Sequence, residues 1–206
     1  TAPRAQRGES GIPGMEAQHV LALTALAVTA LGALVTIGFQ LRTGVAPVPA
    51  GRAERADVVA LMRRAGLAGA PRIYELGSGW GDLALSLARA FPEAQVVGVE
   101  LSPLPWAVAR LRARGQPNLE IRRGDLFALD LRDADAVTCH LMMRPMGRLA
   151  EKLDRQLRPG TPVAALSFWF RGRAPAATLQ SSLGLRGAVA LYRWPAGEPQ
   201  APDESR

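Results

Sequence analysis

Hydrophobic residues fall along this chain in two regimes. From Val20 to Phe39 twenty residues run without a charge or a proline, mostly Leu, Ala and Val. As a helix such a run is about 30 Å long, enough to cross the hydrocarbon of a bilayer. Beyond Gly51 the pattern breaks into short pieces of changing period. Val58 to Met62 lies in a first helix; Arg72-Ile73-Tyr74 reads as a short strand, Asp82 to Phe91 as a helix stopped by Pro92, and Gln95 to Glu100 as a strand too apolar for a surface. Leu104 to Arg114 reads as a further helix closed by Gly115, and Leu119 to Arg122 as a third strand. Ala134 to His140 and Thr161 to Phe168 read as a fourth and fifth strand. Between them Met146, Leu149, Leu153 and Leu157 recur at helical spacing before Pro159-Gly160. Strict alternation of strand and helix predicts an α/β fold, a Rossmann-like parallel sheet with helices on both faces, preceded by one N-terminal transmembrane helix. The expected divisions are a tail at 1–19, the span at 20–41, a proline-containing linker at 42–51, one folded domain at 52–194 and a C-terminal tail at 195–206, expected to be disordered.

The apolar run has two other readings. A signal peptide has a shorter apolar region after a basic start and a cleavage site after it; Val48-Pro49-Ala50 is a poor one. A core helix this uniformly apolar needs a larger protein around it. A single-pass anchor is therefore expected. Arg42, Arg52 and Arg55 follow the span while Arg4 and Arg7 precede it, so the bias of positive charge is slight. A translation start at Met15 would leave no arginine ahead of it. The domain is expected on the cytoplasmic side, in a bacterial inner membrane.

The chemistry concentrates in Tyr74-Glu75-Leu76-Gly77-Ser78-Gly79-Trp80-Gly81, with Glu100 closing the next apolar run. An acid, glycines at every second position and a second acid some twenty residues on suit a strand-loop-helix unit that holds a nucleoside cofactor against bare backbone. A dinucleotide loop needs a small residue three positions after its second glycine, and that position is Asp82. Glu75 would also repel a pyrophosphate. It suits the positive amino and sulfonium groups of S-adenosylmethionine. Gly77, Ser78, Gly79 and Gly81 are then expected to turn under the methionine part, Glu100 and the neighbouring Leu101 to take the ribose, Asp125 to accept the adenine amino group and Leu126 to pack on the ring.

A net charge of +7 and a pI near 11 raise the question of nucleic acid, but the arginines are scattered and no RNA-binding module is visible. Those near the span are expected to form ordinary solvated surface, with binding of anionic lipid headgroups the alternative. Lys152 is the only lysine beside twenty-four arginines, a bias that composition explains more economically than avoidance of self-methylation. One cysteine, Cys139, permits no internal disulfide, and two histidines with it form no metal-ligand cluster, so no metal is expected.

The order of segments carries a resemblance. An apolar span, Val45-Ala46-Pro47-Val48-Pro49, Val58 to Met62, Glu75 to Gly79, Val99-Glu100-Leu101-Ser102-Pro103 and Met142 to Leu153 followed by Leu157-Arg158-Pro159-Gly160-Thr161 together resemble the membrane-anchored protein-lysine methyltransferases. These are the class I enzymes that act on the ATP synthase c subunit and the adenine nucleotide translocase, with their prokaryotic relatives. The likeness covers roughly residues 20–170. It implies a class I methyltransferase sheet and a lysine acceptor in a membrane protein. The family usually has an acid at Trp80, an asparagine at Ser102 and Pro-Thr where Pro49-Ala50 stands.

Methyl transfer is an in-line displacement, so a site must align donor and acceptor and keep an amine acceptor uncharged. Phe168-Trp169-Phe170 is expected either to wall such a site, with Trp169 as a candidate, or to pack the core. His140 is a candidate proton acceptor or a structural histidine. Methyltransferases of base amino groups resemble one another in an Asn/Asp-Pro-Pro-aromatic segment at this place, whereas this chain has Thr138-Cys139-His140-Leu141. Three functions follow: a methyltransferase for lysine in a membrane protein, one for a lipid-soluble small molecule, or a tethered module that binds S-adenosylmethionine without catalysis.

Overall fold

The computed structural model describes residues 13–43, 49–179 and 187–196, in two compact units, Thr1–Gly38 and Phe39–Arg206. The first is built on α1 (Pro13–Thr43), which contains the expected span and starts within what the sequence suggests as a tail. Ala17–Gly38 has a mean hydropathy of 2.4, and none of its side chains is buried. Thr24, Thr29 and Thr36 donate their hydroxyls to the carbonyls of Val20, Ala25 and Gly32 at 2.7, 2.8 and 2.9 Å. Each hydroxyl is thus satisfied inside the helix, as a water-free surrounding demands. Residues 1–12 of the expected tail, 44–48 of the linker and 197–206 of the C-terminal tail lie outside the described residues.

The second unit runs α2 (Arg52–Arg64), β1 (Arg72–Leu76), α3 (Asp82–Ala90), β2 (Gln95–Glu100), α4 (Pro103–Arg112), β3 (Leu119–Arg123), β4 (Ala136–Cys139), α5 (Met143–Gln156), β5 (Thr161–Leu166), β6 (Ala177–Leu179) and β7 (Val189–Trp194). The sheet order is β3-β2-β1-β4-β5-β7-β6. Strands β1 to β5 are parallel, in the register Tyr74 with Val97 and Val137, and Val163 with Val137. β7 runs antiparallel to both β5 and β6. The sheet is therefore mixed, where alternation alone predicts a wholly parallel one. A chain that returns beside β5 without a crossover helix has to enter antiparallel.

Side chains on one face of the sheet, with Ile73, Val96 and Ala164, meet Leu61 and Met62 of α2 and Leu83 and Leu87 of α3. On the other face Tyr74, Val137 and Val163 meet Leu149 and Leu153 of α5. Central parallel strands covered on both sides explain why these segments read as continuous apolar runs. Phe170 joins the second layer at 3 % exposure, with its ring edge-on to Tyr192 and Trp194 at centroid distances of 5.3 and 4.9 Å. Of the two expectations for that aromatic triplet, Phe170 meets the packing one.

Candidate active site

A cleft of about 740 Å³ opens where β1, β2, β3 and β4 end, the place where α/β sheets bind ligands. Its floor is the turn after β1. The amides of Gly77 and Ser78 both donate to the carbonyl of Val99, at 2.9 and 3.0 Å, and bend the chain across the end of β2. Gly77 has φ +78°, and a β-carbon there would lie 2.5 Å from Leu141 Cδ2, so a side chain is excluded twice over. Gly79, at φ +52°, has nothing within 4 Å of where its β-carbon would stand. Gly79 itself lines the cleft.

Glu75 ends inside the protein at 2 % exposure. It accepts a hydrogen bond from the backbone of Ala84, in the first turn of α3, but its Oε2 has no partner. Burial pushes its carboxyl well above the usual carboxylate range, and Glu100 and Asp82 add to the effect. Ser78 Oγ is likewise buried without a partner. A buried carboxyl oxygen and hydroxyl left unpaired beside an open glycine fit a ligand bearing a cation and polar groups.

Glu100 sits at the end of β2. Its Oε2 accepts from the Gly79 amide and its Oε1 from the Ser102 amide, each at 2.8 Å. Before any ligand arrives it already ties the glycine turn to the start of α4, and the remaining lone pairs of both oxygens stay available for hydroxyls. Leu101, 39 % exposed, and Asp125 with Leu126 line the same cleft. Asp125 is turned by its own loop, accepting from the Phe127 amide at 2.8 Å.

Two expected residues lie elsewhere. Gly81 does not line the cleft; it caps α3 at φ +81°, and a β-carbon there would approach Ala109 Cβ of α4 at 2.9 Å. Its task is helix-to-loop packing. Trp169 also lies outside, donating its indole to the carbonyl of Ala188 at 3.2 Å. His140 does line the cleft, with Ser167 Oγ 3.4 Å from its Nε2. Burial lowers its pKa, against a smaller opposing pull from Glu54, so the ring is neutral at neutral pH.

The sequence reading found the helix α5 but not what its Arg148 and Lys152 do. Arg148 stacks its guanidinium 4.0 Å over the Phe127 ring, and the Lys152 ammonium donates to the carbonyls of Phe127 and Leu129. These residues, four apart on one helix face, hold the loop that carries Asp125 and Leu126. Lys152 is 5 % exposed. The available signal was a lone lysine in the strongly amphipathic segment after the fourth strand.

The fold, the glycine turn and the three acids define an S-adenosylmethionine-dependent methyltransferase. Residues 75–177 match the family described as the ANTKMT methyltransferase domain. Over 124 residues the chain is 31 % identical to a protein-lysine N-methyltransferase of Saccharolobus islandicus, covering 58 % of this chain and 77 % of that one. Over 104 residues it is 38 % identical to a demethylmenaquinone methyltransferase of Thermus thermophilus, about half the length of each, 47 % in both cases. An RNA methyltransferase from Salinibacter ruber, solved with S-adenosylhomocysteine, superposes with a TM-score of 0.65 at 31 % identity over 76 % of this chain and all of that one. The chain belongs to the ANTKMT methyltransferase family, and it is an enzyme.

Proposed function

We propose that this enzyme methylates lysine in an integral membrane protein, held to the bilayer by α1 with its catalytic domain on the cytoplasmic side, where S-adenosylmethionine is made. The observation that carries the reading is the position of His140. The register sets Leu76 beside Cys139, so the next residues, Gly77 and His140, stand at the same end of neighbouring strands. The glycine turn and a neutral imidazole thus share one cleft.

When bound, S-adenosylmethionine supplies an electrophilic methyl group on a sulfonium. Glu75 Oε2 would hold the amino group of its methionine part, Glu100 the ribose hydroxyls, and Asp125 with Leu126 the adenine. The protein must also bring the acceptor nitrogen in line without its extra proton. A lysine would shed its ammonium proton to solvent on entering the apolar cleft, its lone pair would then be free to take the methyl group from the sulfonium, and the neutral His140 ring would accept a hydrogen bond from the amine and hold it in place. Leu141, Pro145 and Phe127 line the same cleft and favour the neutral amine.

The similarity to the Saccharolobus enzyme supports lysine, and the Thermus relative supports a second reading, a quinone-like small molecule. Methylation of base amino groups is disfavoured because Thr138-Cys139-His140-Leu141 lacks the segment typical of such methyltransferases. Incubation of the solubilised protein with methyl-labelled cofactor and host membranes separates them. Label in protein as methyl-lysine is expected; label that extracts wholly with lipid, or that runs with RNA, would overturn the lysine assignment.

A further inference from the structure

The exposed large apolar side chains of the catalytic unit are unevenly placed. Leu101 and Leu104 follow the carboxyl end of β2, Met142 and Met143 follow that of β4, and Trp169 follows that of β5, exposed by 39, 36, 37, 55 and 40 %. Leu111, in the last turn of α4, is the one such residue away from that edge among the described residues. Five apolar side chains exposed just beyond the carboxyl ends of the strands, with Leu101 among the cleft's own lining, are more than a soluble monomer usually leaves along one edge.

The same rim is basic. Arg123 and Arg148 line the cleft, Arg52 opens α2 and Arg144 lies in the first turn of α5; all four are exposed and form no ion pair among the described residues. Nearby acids are already engaged: Asp82 pairs with Arg55 and Arg112, while Glu54 accepts from the Gly51 and Gly187 amides. Asp125 is the exposed exception. The domain's first described residues, Pro49 and Ala50, border this cleft, and five residues of sequence separate Pro49 from the end of α1.

We infer that the cleft's rim seats on an anionic bilayer surface, its apolar side chains entering the headgroup layer and its arginines meeting lipid phosphates. Apolar insertion combined with cation–phosphate attraction is how peripheral surfaces bind lipid, and each cation near the surface adds to the affinity. A protein partner would satisfy the apolar residues, but it has no general need of arginines without an acidic partner beside them. The inference rests on the reading that α1 is an anchor. It adds the orientation: the acceptor enters from the membrane side.

The test uses the full chain in phosphatidylcholine vesicles containing phosphatidylglycerol. A small fluorophore is attached in turn to Met143→Cys and to Leu111→Cys. The native Cys139 is buried, its thiol pushed up to about 12, and takes no label. Brominated lipid is expected to quench the probe at 143 several-fold more than the probe at 111. That difference should shrink when phosphatidylglycerol is omitted or in the Arg52→Glu, Arg144→Glu double variant. Vesicles that float with the protein while both probes respond alike, or while the probe at 143 responds only after a candidate protein acceptor is added, overturn the seating and leave the anchor standing. Protein that does not float overturns both.

Discussion

If Glu75 holds the cofactor's amino group as proposed, proton binding and cofactor binding are coupled at its carboxyl. Its carboxyl keeps its proton to higher pH in the fold than in the unfolded chain. The stability this confers is complete below the ordinary carboxylate range and is lost as pH rises through the raised value. Glu75→Gln should therefore melt higher than the wild type without ligand at neutral pH, and the gap should close in acid. The same variant should bind S-adenosylhomocysteine more weakly, since an amide cannot pair with the amino cation. Thermal shift from pH 5 to 8, with and without ligand, measures both; a wild-type ligand shift in the variant would remove Glu75 from the site. Gly79 and Gly81 separate in the same assay. Gly79→Val should weaken ligand binding at least tenfold, because the branched side chain would enter open cleft space. Gly81→Val should instead lower stability by about 1–3 kcal/mol through the clash with Ala109. Spacing made the acids at the strand ends legible, because a charged residue closing an apolar run has few structural excuses. It could not tell the two glycines apart, since their difference lies in what α4 brings against them.

At the scale of elements, α5 holds the loop after Asp125 and Leu126 through the Lys152 ammonium. Lys152→Met keeps the stem and strips two carbonyls of their donor, a loss of about 1–3 kcal/mol for a buried group left unpaired. The expected result is a lower melting temperature together with several-fold weaker cofactor binding; calorimetry showing unchanged affinity would confine Lys152 to stability alone. β1, β2, β4 and β5 were readable because buried parallel strands are short, apolar and punctuated by Gly and Pro, and edge strand β3 because Leu119 and Ile121 alternate with charged residues. β6 and β7 were not. Ala177–Leu179 is too short to show a period, and Val189–Trp194 reveals its direction only by pairing Leu166 with Val189. The choice for Phe170 between site wall and core stayed open for the same reason: its two ring partners belong to β7, far along the chain.

For the molecule as a whole, the long apolar run and the compact sheet were both visible in the sequence, because each depends on local pattern. How the cleft's rim is decorated was not, since five separated segments contribute to it. Full-length protein should sediment with membranes after alkaline carbonate washing and come into solution with detergent; recovery in the high-speed supernatant would sink the anchor. The buried ammonium of Lys152 has a last consequence, one for the laboratory. A chain whose single lysine is 5 % exposed and occupied by carbonyl oxygens is a poor acceptor for its own chemistry. Methyl-lysine found in a reaction mixture is therefore a record of some other polypeptide, and the enzyme can be left in the tube without blurring the count.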